Sequence, residues 1–489
     1  MEKNKDTILL IKILGYIIVA FLIFPSCKNY SDSAEEKLPN IVLIMADDMG
    51  YGDLGCYNSE SKIPTPNIDK LANEGMRFTD AHAPGTTCIP SRYGLLTGRY
   101  PFRNNRNYRE GMIQPGRLTI AGLLKNSGYT TACIGKWHQG MINEKKPQSG
   151  VDLEGNPTQH GFDYFFGLPA SLDIPPYYYV ENGQCVLPPT DTIEASSTPG
   201  ISPIQGAFWR KGGIAPGYKH ENVVDELKDK VIDYIGTHFQ NNKNPLFLYF
   251  PLPSPHTPWL PNDENKGKTL IGDYGDYTAQ VDDVVGEVMA KLKSTGQDQN
   301  TIIIFTSDNG PVWYPEDVKK YDHSSTGSLA GMKGDLWEGG HRMPFIINWP
   351  GKVKENSVTE HLTCFTDFMA TFAEITGQQV SENAGEDSYS FLSQLTGEQS
   401  NLPQRQNFVV GRGKAFAVIA GDWKYINIPG PGGFTERYLK GKDIKFDHPE
   451  QLYNLNNDIG EKENLILKNK NKTGELAAIL HEIIELDND

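Results

Sequence analysis

Asn40-Ile41-Val42-Leu43-Ile44-Met45-Ala46-Asp47-Asp48-Met49-Gly50-Tyr51-Gly52 is the stretch that decides the fold. Its first half is a near-continuous apolar run without polar alternation. That is the pattern of a central parallel strand, buried on both faces. The run ends in two adjacent carboxylates, which are costly at the end of a buried strand unless a cation holds them. Ligands of open α/β sheets bind outside the carboxyl ends of the strands. The stretch therefore reads as a sheet centre and one edge of a metal site.

Downstream segments repeat the pattern. Thr301 to Thr306 is a second buried strand, ending in Ser307-Asp308-Asn309-Gly310. With Asp47 and Asp48 it supplies the oxygens a hard cation needs. Tyr129 to Ile134 is a strand that runs into Gly135-Lys136-Trp137-His138-Gln139-Gly140. Lys136 and His138 alternate, so an extended segment would point both to one side. Pro245 to Phe250 is a strand followed by Pro253-Ser254-Pro255-His256-Thr257-Pro258-Trp259, and Phe345 to Asn348 is another. Met76 to Ala81 is expected as one more. Helices are expected over Asn67 to Glu74, Thr119 to Asn126, Asn222 to Phe239, Asp273 to Leu292 and Phe365 to Thr376. This alternation implies an α/β fold, a large mixed, mainly parallel sheet sandwiched by helices. From about residue 400 the pattern changes to short strands with a Gly421-Asp422 hairpin turn and a final helix, Leu476 to Leu486. That predicts a smaller C-terminal α+β subdomain over 400–489, after a catalytic domain over 38–399.

Between Phe78 and Thr119 lies Cys88-Ile89-Pro90-Ser91-Arg92, continuing to Thr97-Gly98-Arg99. Pro90 suits the first turn of a helix. Cys88 then sits at or just before a helix N-terminus, where free N–H groups favour negative charge. Arg92, four residues on, returns to the same face. Residues 141–220 hold little regular pattern. They contain His160 and Asp173 with a Pro-Pro-Tyr-Tyr-Tyr run, a mixture of acid and aromatics suited to sugar recognition.

The chain has 489 residues, 38% hydrophobic and 22% charged, so it can bury a large core. A net charge of −15 argues against a nucleic-acid surface. Lys3 and Lys5 precede an apolar segment from Ile8 to Phe24, then Pro25-Ser26-Cys27 and a polar tail. This resembles a bacterial lipoprotein signal over 1–26, with cleavage before Cys27, a lipid on its thiol and a solvated tether over 27–37. The chain is then expected to be exported and anchored to the cell envelope, at the outer membrane surface or in the periplasm. Cys56, Cys133, Cys185 and Cys364 show no framework spacing and are expected as free thiols.

MADDMGYGDLGCY, CIPSRYGLLTGR, GKWHQG, PHTPW, TSDNG and KGDLWEGGHRMPFI, with GDWKYI and LYNLNND near the end, together resemble the formylglycine-dependent sulfatases. These belong to the alkaline-phosphatase-like superfamily, and the resemblance covers almost the whole mature chain. Gln139 stands where the family often has Leu. The resemblance implies one calcium ion held by Asp47, Asp48, Asp308, Asn309 and the modified Cys88. It implies that a maturation enzyme oxidises Cys88 to formylglycine (3-oxoalanine), which hydrates to a gem-diol nucleophile, with Arg92 stabilising its alkoxide. It implies His256 as the acid for the leaving group, His138 as the base for collapse, and Lys136 and Lys333 as the sulfate-neutralising charges. The expected reaction is removal of sulfate from a sulfated carbohydrate, with Lys136, His256, Lys333, His160 and Asp173 contacting substrate. His160 and Asp173 suggest action on a terminal sugar. Two alternatives stand beside this: a phosphate or phosphonate monoester hydrolase on the same fold, and a non-catalytic glycan-binding lipoprotein.

Overall fold

The computed structural model describes residues 37–198, 202–381, 383–442 and 446–485. The expected signal segment, Cys27 and the tether up to residue 36 lie outside them. A ten-stranded sheet runs through the molecule. Its strands are β1 (Asn40–Asp47), β2 (Met76–Phe78), β3 (Thr130–Lys136), β4 (Tyr164–Leu168), β5 (Val180–Glu181), β6 (Gln184–Cys185), β7 (Leu246–Pro255), β8 (Thr301–Ser307), β9 (Phe345–Asn348) and β10 (Ser357–Thr359). The order across the sheet is β10-β2-β9-β8-β1-β7-β3-β4-β5-β6. The five central strands β8, β1, β7, β3 and β4 are mutually parallel. Antiparallel pairs flank them on both sides.

Every residue of β1 is buried, as its unbroken apolar run requires. Each large side chain there contributes about 1.5–3 kcal/mol by leaving water. Helices α1 (Pro66–Asn73), α4 (Val223–Asn241) and α5 (Asp273–Ser294) pack as one group. Helices α2 (Cys88–Thr97), α3 (Ile120–Asn126) and α7 (Phe368–Thr376) form a second. A short helix, α6 (Glu338–His341), precedes β9.

The C-terminal region is a four-stranded antiparallel sheet, β11 (Asn407–Arg412), β12 (Ala415–Ala420), β13 (Trp423–Ile426) and β14 (Gln451–Asn454). Helix α8 (Phe434–Leu439) interrupts it, and α9 (Lys470–Glu485) packs on β12 and β13. Its core includes Phe408, Val418, Leu452 and Leu476, joined by Tyr100, Leu336 and Cys364 from the main body. From Pro39 on the described chain clusters as one unit, so this sheet is a subdomain on a shared core.

Three expectations need adjustment. Met76 to Ala81 is two elements, because Thr79-Asp80 turn the chain: β2 stays in the large sheet, while Ala81–His82 pairs with Thr363–Cys364. The irregular stretch 141–220 contains short strands, among them Asp191–Ile193 paired with Gly212–Ile214. The last helix begins at Lys470, two turns before its apolar stripe. Cys56, Cys133, Cys185 and Cys364 are free thiols. Among the described residues no helix is long and apolar enough to cross a membrane.

Candidate active site

Four neighbouring parallel strands end at one place. Register pairs Ala46 with Ser307 and Asp47 with Pro255, so the residues following β1, β8 and β7 emerge side by side. These are Asp48, Asp308-Asn309 and His256. Lys136 closes β3, and His138 follows two residues later. Asp48 and His138 both adopt left-handed backbone, with φ of 61° and 51°. That conformation costs a non-glycine residue about 1–3 kcal/mol and is retained where side chains must be aimed. It also corrects the extended reading of Lys136-Trp137-His138. His138 turns into the cavity wall, whereas Lys136 stays beneath it, fully buried.

Helix α2 delivers Cys88 as its first residue, after an extended Thr87 whose side chain makes no capping hydrogen bond. Cys88 Sγ lies 3.5 Å from Asp47 Oδ1 and 3.5 Å from Lys333 Nζ. One turn on, Arg92 donates from Nε and Nη2 to Asp308 Oδ2 at 2.9 and 2.7 Å, and its Nη2 is 3.6 Å from Asp47. Lys136 Nζ donates to Asp47 Oδ2, and Lys333 Nζ contacts both Asp48 oxygens at 2.6 and 2.8 Å. His256 Nδ1 is 2.6 Å from the Thr257 carbonyl, so Nδ1 carries a proton and donates it. Its Nε2 then faces Asp48 Oδ2 at 3.6 Å.

Burial raises the Asp47 pKa, but Lys136, His256, Arg92 and Lys333 outweigh it and hold the carboxyl far below the usual range. Burial and the Asp47 charge push Asp308 up to about 6 despite Arg92. Burial, then Lys136 and Arg92, hold His138 neutral, well below its ordinary pKa. Burial pushes the Cys88 thiol up, against the pull of Lys136 and Lys333. At this helix end desolvation therefore wins over dipole and lysines, and the thiol is a poor nucleophile.

The donors fit a hard divalent cation. Asp47, Asp48, Cys88 and His256 place ligand atoms within 4.8 Å of one another. Asn309 donates from Nδ2 to Asp48 Oδ1 at 2.6 Å, which leaves its buried Oδ1 without a partner. Asp308 Oδ1 accepts from the Asp48 amide at 3.2 Å. Three carboxylates and an orphaned amide oxygen are an oxygen-rich set of the kind calcium or magnesium takes.

Above this floor is a cavity of about 530 Å³, within the range of ordinary ligand sites. Its wall includes Asp48, Cys88, His138, Asp173, Arg210, His256, Trp259, Lys333, Arg412 and Arg437. Asp173 is in place: Arg210 Nη1 pairs with Oδ2, and the buried Oδ1 has no partner. His160 is not in this wall. Its ring stacks on Trp137 at 6.0 Å, and burial and Arg106 lower its pKa to about 4. The 3₁₀ turn Pro157–His160 and the left-handed Gly161 point it into packing, which corrects its expected substrate role. Arg210, Arg412 and Arg437 went unrecognised in the sequence. They come from a loop and from the distant C-terminal subdomain, where no spacing ties them to Cys88.

A family model described as Sulfatase matches residues 39–378. The N-acetylgalactosamine-6-O-sulfatase of Bacteroides thetaiotaomicron is 35% identical over 488 residues, spanning 91% of this chain and 93% of its own. Human arylsulfatase A is 31% identical over 462 residues, with 88% and 84% covered. A solved Bacteroides thetaiotaomicron chain, described under the metabolism of multiple glycosaminoglycans, superposes with a TM-score of 0.79 at 32% identity, covering 92% of this chain and 99% of that one. A buried strand-end cluster around Cys88, matched along nearly the full length by such relatives, has one reading: the chain belongs to the sulfatase family and is a sulfuric ester hydrolase.

Proposed function

We propose that this enzyme removes sulfate from a sulfated glycan, with 6-O-sulfated N-acetylgalactosamine as its sugar, through formylglycine at position 88 and one calcium ion. The observation that carries the chemistry is the setting of Cys88. It sits at a helix N-terminus on the cavity floor, between Asp47 and Lys333, with its thiol too buried to ionise. The sugar assignment rests on the 35% identical relative of that activity.

The calcium ligands would be Asp47, Asp48, Asp308, Asn309 and residue 88, and the bound ion would supply Lewis acidity and offset the charge of the sulfate oxygens. Converted and hydrated, residue 88 would supply a gem-diol, one hydroxyl of which would lose its proton to water and attack sulfur, while the other lets sulfate depart, by cleavage of its C–O bond, as the aldehyde re-forms. His256 Nε2 gives a proton to the sugar oxygen as the S–O bond to it breaks. Its Nδ1 hydrogen bond to Thr257 fixes the ring for that task. His138, held neutral, takes the proton of the second hydroxyl, and water then rehydrates the aldehyde. Lys333 neutralises the sulfate from the cavity wall. Lys136 acts from below, holding Asp47 ionised. Asp173, braced by Arg210 at the cavity wall, accepts a sugar hydroxyl.

The proposal extends to a formylglycine-generating partner enzyme, a lipid on Cys27 after removal of residues 1–26, and location at the cell envelope. Two measurements test it. Mass analysis of the Cys88 peptide, from protein made with a maturation enzyme, should show the aldehyde; a thiol at full activity overturns the nucleophile. A panel of sugars sulfated at single positions should give the highest kcat/KM with the 6-O-sulfate of N-acetylgalactosamine; preference for another position overturns the sugar.

A further inference from the structure

We infer that the outer wall of the cavity is a second anion subsite. Arg412 and Arg437 would bind a carboxylate or sulfate on the sugar adjoining the one that is desulfated. This rests on the glycan reading above and deepens it. Arg412 ends β11 and Arg437 lies in α8, so both come from the C-terminal subdomain. Both line the same cavity as Cys88, His256 and Lys333. The catalytic side chains are buried, whereas these two arginines are exposed, which puts them outward of the reacting ester.

Their pairing sets them apart from the other cations of the wall. Lys333 is neutralised by Asp48, and Arg210 by Asp173. Among the described residues no carboxylate pairs with Arg412 or Arg437, in a protein of net charge −15. Arg437 instead lies over the Phe434 ring, 4.8 Å from its centroid, which leaves its guanidinium edge for a ligand.

The placement of α8 is built in. The Phe434 amide donates to the carbonyl of Lys333 at 3.2 Å. Asp335 accepts from the Met332 amide at 2.8 Å and from the Thr435 amide at 3.2 Å, and also binds the Thr435 hydroxyl. Gly433 lies so close to Gly334 that a Cβ would come within 2.1 Å of its carbonyl carbon. Arg437 is thus carried on a segment fastened to the catalytic Lys333 loop. An anion bound there would position the leaving-group side of the substrate.

The test compares three disaccharides of 6-O-sulfated N-acetylgalactosamine. The neighbour is glucuronate, the same sugar with its carboxyl reduced to an alcohol, or the reduced sugar bearing a 2-O-sulfate. The wild type should favour a charged neighbour over the neutral one by about fivefold in kcat/KM, the size two partly exposed ion pairs give. That ratio should shrink toward one in Arg412→Gln/Arg437→Gln, return in part with Lys at both positions, and weaken with salt. Preference for the carboxylate or for the 2-O-sulfate identifies the source. A wild-type ratio of one for both, or a ratio that survives the double substitution, overturns the subsite. If none of the three is turned over, the sugar assignment has failed. Calorimetric titration with the unsulfated glucuronate disaccharide and its reduced form then decides the subsite, with equal affinities overturning it.

Discussion

Cys88 is pulled in two directions, and magnitude decides between them. The helix N-terminus and Lys333 favour a thiolate, but complete burial beside Asp47 disfavours any new negative charge by more. Unconverted protein should therefore resist alkylation at residue 88 near pH 8, compared with a free-cysteine peptide, when followed by mass spectrometry. Cys88→Ala should abolish turnover and keep the fold, read by circular dichroism alongside activity. His256→Ala should slow sugar sulfates far more than activated aryl sulfates, because a good leaving group needs no proton. Equal losses on both would remove His256 from the acid role. Asp308→Ala removes a carboxylate from the cluster and leaves Arg92 with only Asp47, at 3.6 Å, as a charged partner beside the Lys136 carbonyl. It should lower the calcium retained after dialysis, measured by elemental analysis.

At the scale of elements, the strand ends do not hold their geometry alone. Asp53, from the same stretch as Asp47 and Asp48, accepts from the Gly50 amide at 2.7 Å, Tyr274 Oη at 2.6 Å and Ser325 Oγ at 2.8 Å, and lies 2.9 Å from His323 Nε2. Tyr274 Oη reaches the carbonyl of Asp48 at 3.5 Å, so this cluster braces the left-handed turn that aims Asp48. The fit is close: a Cβ on Gly50 would come within 1.8 Å of the Ser325 carbonyl oxygen. Asp53→Ala should cost about 1–3 kcal/mol in thermal or urea unfolding, because buried donors lose their acceptor. It should also lower calcium affinity in a titration, although Asp53 is not itself in the cavity wall and touches it through Tyr274.

At the scale of the whole molecule, a buried ionic cluster ties the two sheets together. Lys424 of β13 donates to Glu338 of α6 at 2.8 Å and sits 2.9 Å from Glu461. His82, Glu338 and His341 also group as metal-ligand types, but two side-chain cations already serve Glu338: the Lys424 ammonium, 3.2 Å from His341 Nε2, and Arg342, whose Nη1 is 3.0 Å from Glu338 Oε2. Replacing Lys424 by Met should cost about 3 kcal/mol at neutral pH, since it removes the ammonium between Glu338, which keeps only Arg342 at 3.0 Å, and Glu461. Burial pushes Glu461 up to about 7, with Glu338 adding repulsion and Lys424 opposing. A carboxyl whose folded pKa lies above its unfolded value of 4.5 is most favourable when protonated. Stability from this group is therefore full at low pH and lost as pH rises from about 4.5 to about 7. Glu461→Gln should match the wild-type melting temperature near pH 5 and exceed it progressively toward pH 8.

The sequence by itself determined the sheet, because strands buried on both faces must be apolar throughout, and β1, β7 and β8 carry that signature undiluted. It also determined the residues at their ends, because carboxylates and histidines directly after such strands are chemically expensive and so stand out. The tertiary structure decided what each could touch. Lys136 went beneath the cavity wall because its strand carries it to Asp47, and His160 went behind it because a local turn aimed it into packing. Asp53 became a brace through partners more than two hundred residues away. Arg210 reached the cavity from a loop, and Arg412 and Arg437 from the C-terminal subdomain. Contacts of that kind follow from how elements pack in space, and no periodicity along the chain records them.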